Sequence, residues 1–349
     1  MENIFVNAAG GIRNLLESAG LPGLAVDLIV LTVIFVAILV FVLLNVLWLV
    51  YMERKVSAFI QCRIGPNRVG PMGLFQTIAD TVKLISKEII IPKNTNKKLF
   101  LLAPVMIFMP PMAVFAVTPF GKGMVALDLN IGVYYFVALA SLSTVIIWTA
   151  GWTSNNKYSL LGSMRVVAQM VSYEVPLLLS IVGVVLLTGT LNLTGIITSQ
   201  QSVWFIFLQP LAFLIYLIAA VAETNRTPFD LVEGESEIIT GPFTEYSGMG
   251  FAFFFLAEYA NVLLVSMLAS ILFLGGWLAP FGLTFIPSWI WLLLKVYLMI
   301  FILMWLRWTY PRIRIDQMMA FCWKVLVPLA IVNIFVTGIG KYLYESVRW

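Results

Sequence analysis

Acidic side chains gathered in one polar stretch, from Glu223 to Tyr246, are the residues of this chain best suited to chemistry. The stretch holds six of the seventeen acids of the chain, namely Glu223, Asp230, Glu233, Glu235, Glu237 and Glu245. Glu233, Glu235 and Glu237 occur at every second position, and in an extended segment this spacing directs all three side chains to one side, about 6–7 Å apart. Because neighbouring carboxylates repel, burial would raise their affinity for protons. The stretch is therefore either a solvated acidic loop or a set of proton-binding groups.

Two further acids, Glu174 and Glu258, each stand about ten residues inside an apolar segment. At about 1.5 Å per residue, both are expected near the middle of a membrane-spanning helix, and Lys295 is expected at a comparable depth. A charge at such a position costs about 2.5–3.5 kcal/mol, so it normally faces a protein interior or a water-filled path. A static Glu–Lys pair is one explanation, but two carboxylates and one ammonium group cannot all pair. With Glu53 and Glu223 at the ends of their apolar segments, the acids predict a proton path.

The composition requires a membrane protein. Of the 349 residues, 61% are hydrophobic and 11% are charged, and the mean hydropathy is +0.98. The net charge of +4 does not suggest a nucleic-acid partner. The chain has no histidine and only two cysteines, Cys62 and Cys322, so it cannot supply the ligand sets of haem, zinc or iron–sulfur centres. We predict no metal site and no catalytic residue that acts in this chain alone, and any redox centre must belong to partner subunits.

The hydropathy pattern predicts an all-α polytopic membrane protein with about eight transmembrane helices. We expect a single membrane domain over residues 26–349, preceded by an interfacial lead-in, residues 1–25, which lacks the pattern of a removable signal peptide. The spans are predicted near 26–51, 99–118, 131–152, 165–188, 203–222, 248–274, 288–310 and 321–343. After the first span, apolar residues at steps of three and four predict an amphipathic interfacial helix over 74–91, ended by Pro92. The acidic loop covers 223–246.

The basic residues are distributed unequally between the two sides of this topology. The loops after the first, third, fifth and seventh spans hold sixteen Lys and Arg residues, and the other side holds four. Basic loops stay on the cytoplasmic side. We therefore expect both termini outside and the acidic loop in the cytoplasm or its equivalent, with a bacterial cytoplasmic membrane favoured over the mitochondrial inner membrane.

Five motifs, read together, resemble a single family. They are ERKVSAFIQCRIGPNRVGPMGLFQTIADTVKLISKE from Glu53, SNNKYSLLGSMRVVAQMVSYEV from Ser154, AETNRTPFDLVEGESE from Ala222, FFFLAEYAN from Phe253 and YPRIRIDQ from Tyr310. In this order and spacing they are similar to the H-type membrane subunit of respiratory complex I, the proton-pumping NADH:quinone oxidoreductase. The likeness covers nearly the whole chain after residue 26.

The resemblance implies roles for individual residues. Glu53, Arg54 and Arg63 would line or guard the quinone entrance, and Phe229, Asp230 and Arg307 would surround the quinone chamber. The remaining charged residues would form an acidic proton path with a lysine as counter-charge: Glu174, Glu223, Asp230, Glu233, Glu235, Glu237, Glu245, Glu258 and Lys295. One departure is Pro242–Phe243 after Gly241, where the family usually has an aromatic and then a polar residue. Because proline fixes φ, we expect a reshaped turn before Glu245.

The resemblance also implies cofactors and partners. Quinone, such as ubiquinone, would be the substrate, while NADH, FMN and the iron–sulfur clusters would be bound by partner subunits. The expected partners are the hydrophilic quinone-site and iron–sulfur subunits and the small membrane subunits that lead to antiporter-like subunits. Two alternatives remain open: the related membrane anchor of an energy-converting hydrogenase-type complex, and an independent ion or solute transporter, although the chain shows no repeated halves.

Overall fold

The structure is a computed structural model that describes residues 4–18, 22–230, 240–280 and 285–347. Within these ranges the chain is all-helical, as the sequence predicts. Its α-helices in the described ranges are α1 (Ile4–Ser18), α2 (Gly23–Ile60), α3 (Gln76–Ser86), α4 (Lys97–Phe115), α5 (Gly132–Thr153), α6 (Lys157–Thr188), α7 (Leu193–Ser199), α8 (Phe205–Leu208), α9 (Pro210–Glu223), α10 (Gly248–Phe273), α11 (Ser288–Thr309), α12 (Ile315–Phe321) and α13 (Val327–Val347).

Seven helical segments in the described ranges are long and apolar enough to cross a membrane: α2, α4, α5, α6, α10, α11 and the continuous segment from α12 to α13. They correspond to seven of the eight predicted spans. The fifth predicted span, 203–222, is interrupted. Pro210 begins α9 and has no backbone N–H, and Gln209 before it has a non-helical φ of −134°. The fourteen residues of α9 rise only about 21 Å, and α8 completes the crossing.

The ends of the spans define two faces. One face is here called the basic face. The helices α2, α5, α9 and α11 end at it, and the helices α4, α6 and α10 begin at it. Arg54, Lys97, Lys157, Arg226 and Arg307 lie at or near these ends. The described parts of the acidic stretch, residues 223–230 and 240–246, adjoin the end of α9 and the start of α10 and therefore lie at the same face.

The last span begins earlier than the sequence predicts. It starts with α12 at Ile315, not near residue 321, and its register changes through a π-helical turn at Cys322–Leu326 before α13 continues. A π-turn inserts one extra residue into the helix, which a search for a regular period of 3.6 does not detect. Cys322 Sγ donates to the Ser172 carbonyl at 3.1 Å, which holds the turn against α6.

The amphipathic helix is present but shorter than predicted. α3 covers Gln76–Ser86, and Lys87 is already extended, so the helix ends six residues before Pro92. Its apolar residues Ile78, Val82 and Ile85 are exposed along one side, whereas Thr77 is buried. This arrangement suits a helix lying in the membrane interface.

α10 is the central helix of the bundle. In its most apolar window 61% of the residues are buried, against 11% for α2 at the periphery. It packs against α2, α4, α9 and α11, and large side chains such as Tyr216 and Phe273 fill the space around it. The same helix carries Glu258, whose side chain is 26% exposed.

Candidate functional site

Two acids and two arginines form a buried ionic cluster, defined here as Glu53, Arg226, Glu258 and Arg307. Glu53 of α2 accepts a hydrogen bond from Arg226 Nη1 at 2.5 Å and a second from Arg307. Arg226 Nε forms an ion pair with Glu258 Oε1 at 3.0 Å. The side chains of Glu53 and Arg226 are only 6% and 5% exposed. Because an unpaired buried charge is strongly unfavourable, the members of the cluster depend on one another.

The turn after α9 places Arg226 in this cluster. α9 ends at Glu223, and Asn225, with a left-handed φ of +51°, reverses the chain. The backbone N–H of Arg226 then returns to the Val221 carbonyl at 3.2 Å. Asparagine tolerates the left-handed region better than most residues, which explains its place here.

The guanidinium of Arg226 remains charged in this buried position. Burial by itself lowers its pKa, but the carboxylates of Glu53 and Glu258 outweigh that effect, and the pKa lies well above its usual value. The guanidinium also lies 4.5 Å from the ring centroid of Tyr259, a cation–π contact. Arg226 is therefore a permanent positive charge between two acids from different helices.

Gln169 of α6 holds both ends of this turn. Its Nε2 donates to the carbonyls of Ala222 at 2.8 Å and Phe229 at 2.7 Å. The two amide hydrogens thus bind two backbone carbonyls that are seven positions apart in the chain. The Phe229 ring lies 5.2 Å from the ring of Tyr173, whose hydroxyl donates to the Met318 carbonyl at 3.0 Å. The segment is thus fixed against α6 and, through Tyr173, connected to α12.

Asp230 lies buried at the end of the same segment. Its carboxylate accepts a hydrogen bond from Arg312 at 3.1 Å. Nearby, the N–H of Ile313 donates to the Pro228 carbonyl at 3.0 Å. The predicted chamber residues Phe229 and Asp230 therefore lie between α6 and the segment that follows α11, in the same turn as Arg226.

Two small cavities connect the buried acids. The first, of about 50 Å³, is lined by Glu223, Asn225, Glu258 and Asn261, among mostly apolar residues. The second, of about 40 Å³, is lined by Glu174, Glu223, Asn261 and Ser143, among apolar residues. Each is large enough for water, which needs about 10–15 Å³. Because Glu223 and Asn261 line both cavities, they join Glu258 on one side to Glu174 on the other.

Glu223 and Glu174 differ in their hydrogen bonding. Glu223 Oε2 is buried and has no hydrogen-bond partner among the described residues. Glu174 accepts a hydrogen bond from Ser141 of α5. A buried carboxyl oxygen next to two water-sized cavities is a suitable place for a water molecule or a transferred proton.

Other predicted residues lie outside this arrangement. Arg54 pairs with Asp80 of α3 at 2.5 Å, and Gln76 donates to the same carboxylate at 3.1 Å. Arg63 is exposed, and its Nε donates to the side chain of Gln61 at 2.6 Å. Both arginines lie where α2 ends at the basic face, so they neighbour the cluster in sequence without belonging to it.

Glu245 lies in a separate groove. Its carboxylate accepts a hydrogen bond from Asn156 Nδ2 at 2.6 Å, at an open groove of about 520 Å³. The reshaped turn expected before it is a 3₁₀ turn at Gly241–Phe243, with buried Pro242, whose carbonyl accepts the hydroxyl of Ser159 at 3.1 Å. Phe243 lines the first cavity, so the turn separates Glu245 from the acids inside. Glu233, Glu235 and Glu237 lie outside the described residues.

Lys295 is placed apart from the carboxylates. Its Nζ donates to the carbonyls of Leu274, Gly276 and Leu278 at 2.7, 2.9 and 2.7 Å, and lies 4.4 Å from the Trp204 ring centroid. This geometry contradicts the prediction that Lys295 is the counter-charge of the acids. α10 and α11 are antiparallel: Glu258 is about 15 Å along α10 from the basic face, whereas Lys295 is about 10 Å along α11 from the opposite face.

Sequence reasoning missed three residues of the site. From the sequence, Arg226 could be recognised only as one of the basic loop residues, because its ion pairs join helices that are far apart in the chain. Gln169 gave no signal before its two backbone acceptors were known. Asn261 did carry one: it follows Glu258 by three positions in an apolar helix, and residues at that spacing share a face.

The comparisons with known proteins agree with one another. Residues 33–338 match the family described as NADH dehydrogenase. The H-type subunit of the NADH-quinone oxidoreductase of Carboxydothermus hydrogenoformans is 58% identical over 348 residues, which cover 100% of this chain and 99% of that protein. The proteins of the same name from Bacillus cytotoxicus and Bacillus mycoides are each 53% identical over 293 residues, which cover 84% of this chain and 88% of each relative.

Proposed function

Because the chain belongs to the NADH dehydrogenase family, we propose that it is the membrane subunit of an NADH:quinone oxidoreductase that forms part of the quinone chamber and couples quinone reduction to proton translocation. The observation that carries the proposal is the pair of cavities that share Glu223 and Asn261 and thereby join Glu258 to Glu174. The names of the relatives favour this function over the hydrogenase-type membrane anchor and over an independent transporter.

Quinone would bind beside the ionic cluster. Arg307 is the arginine of the cluster better able to reach it, because its side chain is 20% exposed whereas that of Arg226 is 5% exposed. A guanidinium can donate to a quinone carbonyl, and the ring of Phe229 supplies an apolar surface in the adjoining turn. Glu53, Arg54, Arg63 and Asp230 complete the proposed quinone-binding set.

Reduction of the quinone would take two electrons and two protons. An iron–sulfur cluster of a partner subunit supplies the electrons, since a chain without histidine and with two separate cysteines lacks the ligands for one. NADH and FMN likewise belong to partner subunits. The charge change at the quinone would act first on Arg307 and Glu53, which are in direct contact.

Arg226 is suited to pass that change inward, since its guanidinium contacts Glu53 through Nη1 and Glu258 through Nε. A proton taken up at Glu53 weakens its hold on Arg226 and leaves Glu258 as the stronger partner. A proton that reaches Glu258 would then be passed on to Glu223, because the nearby positive charge of Arg226 favours the carboxylate form of Glu258. Protons would move from Glu258 through Glu223 to Glu174, by way of water beside Asn261, and on to neighbouring membrane subunits.

The other acids of the stretch would connect this path to the aqueous side. Asp230, Glu233, Glu235, Glu237 and Glu245 are proposed as its outer members. Lys295 is not included. We propose a bacterial cytoplasmic membrane, with both termini outside and the basic face in the cytoplasm.

The test uses the assembled complex in proteoliposomes. We expect Glu223→Gln to lower quinone reduction and proton translocation together, because a neutral amide cannot relay a proton between the two cavities. Glu88→Gln, at an exposed acid of the same face, is the matched control and should retain both activities. Quinone reduction and proton translocation at the rates of the parent complex in Glu223→Gln would overturn the proposed path.

A further inference from the structure

An open polar groove lies at the basic face, away from the ionic cluster. It has a volume of about 520 Å³ and lies between the segment before α4 and the turn that joins α5 to α6. It is lined by Pro92, Lys93, Asn94, Thr95, Ser154, Asn155, Asn156, Lys157 and Glu245. None of the proposed steps of quinone reduction uses the two lysines of this groove.

The groove carries more positive than negative charge. Lys93 and Lys157 are exposed, and neither ammonium group pairs with a carboxylate in the part of the chain that the structure describes. Glu245 is half-buried and already accepts a hydrogen bond from Asn156 Nδ2 at 2.6 Å. Lys157 Nζ is 5.3 Å from the ring centroid of the exposed Tyr158. An anionic group is therefore the ligand that this groove favours.

An apolar stripe on α5 leads directly to the groove. Leu142, Val145, Trp148 and Trp152 are spaced by three or four positions and are 48%, 58%, 41% and 54% exposed. The rings of Trp148 and Trp152 stack with their centroids 6.1 Å apart. From Leu142 to Trp152 the helix rises about 15 Å, which is half of the hydrocarbon thickness of a bilayer. The stripe thus has the length of one lipid leaflet and ends two positions before Ser154, which lines the groove.

The residue types in the stripe favour a lipid over a partner helix. Contacts between transmembrane helices are enriched in Gly, Ala, Ser and Thr, which allow close approach of backbones. Tryptophans at the end of a span belong instead to the boundary between acyl chains and headgroups. Basic pockets at the ends of membrane helices bind anionic lipid headgroups.

We propose that this groove and stripe bind one anionic phospholipid, with its phosphate between Lys93 and Lys157 and an acyl chain along Leu142, Val145, Trp148 and Trp152. The bound lipid would cover an exposed face of α5 and hold the α5–α6 turn against the segment before α4. The groove shares Glu245 with the outer part of the proposed proton path, but neither of its lysines nor the stripe on α5 takes part in the proposed quinone chemistry.

The test uses the assembled complex, freed of lipid and then supplied with phosphatidylglycerol that carries a photoreactive group in its acyl chain. We expect adducts on α5 near Trp148 and Trp152, mapped by mass spectrometry of peptides. Unlabelled phosphatidylglycerol should compete with labelling, whereas phosphatidylcholine should not. The double variant Lys93→Gln/Lys157→Gln should weaken binding about fivefold for each lysine replaced, and the corresponding double arginine variant should retain it.

Lys324→Gln is the matched control, since Lys324 is exposed on the last span and outside the groove. It should leave the adducts unchanged. Equal competition by phosphatidylcholine, displacement by inorganic phosphate at the same concentration, or unchanged labelling in the double glutamine variant would each overturn the proposal. Labelling of a partner subunit in place of α5 would also overturn it. Because the readout is lipid binding, the outcome does not depend on quinone reductase activity.

Discussion

Arg226 Nη1 lies 2.5 Å from Glu53 Oε2, although the two residues are 173 positions apart in the chain. The pair joins the turn after α9 to the end of α2, and Glu258 extends it to α10. We predict that Arg226→Leu destabilises the subunit by about 3–5 kcal/mol, because Glu258 loses this ion pair and the buried Glu53 loses one of its two arginines. Thermal unfolding of the assembled complex measures the effect.

The control for this prediction is Arg13→Leu. Arg13 also pairs with two acids, Glu17 and Asp27, but its side chain is 55% exposed. Exposed pairs contribute about 1 kcal/mol or less. Similar losses of stability in the two variants would show that the cluster is not a tightly coupled buried unit.

Asn261 offers a direct test of the connection between the cavities. Asn261→Leu removes a polar side chain from both cavity walls and should lower coupled quinone turnover about tenfold or more, since proton transfer needs groups within hydrogen-bond reach or one water away. Asn261→Asp keeps the shape and restores a group that can carry a proton, so it should retain much more activity than the leucine variant. Equal activity of the leucine and aspartate variants would show that Asn261 does not take part in the proton path. Turnover and proton translocation are measured in proteoliposomes.

Gln169 should control the quinone-binding turn. In Gln169→Leu the carbonyls of Ala222 and Phe229 lose their donor, at a cost of about 1–3 kcal/mol each. We expect a higher KM for quinone in steady-state kinetics, because the turn that carries Phe229 and Asp230 loosens. Gln209→Leu is the matched control: Gln209 is equally buried and donates to the Gly183 carbonyl at 2.9 Å, outside the proposed site. A KM that rises equally in both variants would indicate a general packing effect.

Lys295 should affect stability and not coupling. Lys295→Met leaves three carbonyls beyond the end of α10 without their ammonium donor, so thermal stability and assembly of the complex should fall. Lys341→Met, which removes one donor to the Leu186 carbonyl at 2.9 Å from a partly exposed side chain, should cost less. The proton-to-electron ratio of assembled Lys295→Met should equal that of the parent complex. A changed proton-to-electron ratio in a Lys295→Met complex of normal stability would show that Lys295 takes part in the proton path.

Gly162 should determine the position of the turn before Glu245. A Cβ at Gly162 would lie 2.6 Å from Gly241 Cα, a contact that requires the backbone of the turn to move. Since Phe243 of this turn lines the first cavity, Gly162→Ala should reduce both stability and coupled turnover. Gly338→Ala, where an added Cβ meets nothing within 4 Å, should change neither. Unchanged turnover in Gly162→Ala would show that the turn does not shape the cavity.

Membrane insertion, helix order and the family follow from the sequence alone. In lipid, the backbone N–H and C=O groups of an apolar run of about 20 residues are satisfied when the run forms a helix. Composition and periodicity were therefore sufficient to predict seven long spans and α3. The boundaries depend on local backbone events. Pro210 shortened the fifth span and the π-turn after Phe321 lengthened the last one, and neither changes hydropathy.

The acids themselves were visible in the sequence, because a carboxylate inside an apolar run is conspicuous. Their partners were decided only by the tertiary structure. Arg226 reaches Glu53 and Glu258 because three distant segments meet at one point, and Lys295 finds carbonyls because two antiparallel helices bring its side chain to the opposite end of α10. Depth along a helix can be counted from sequence, but the neighbour across the helix interface is set by packing.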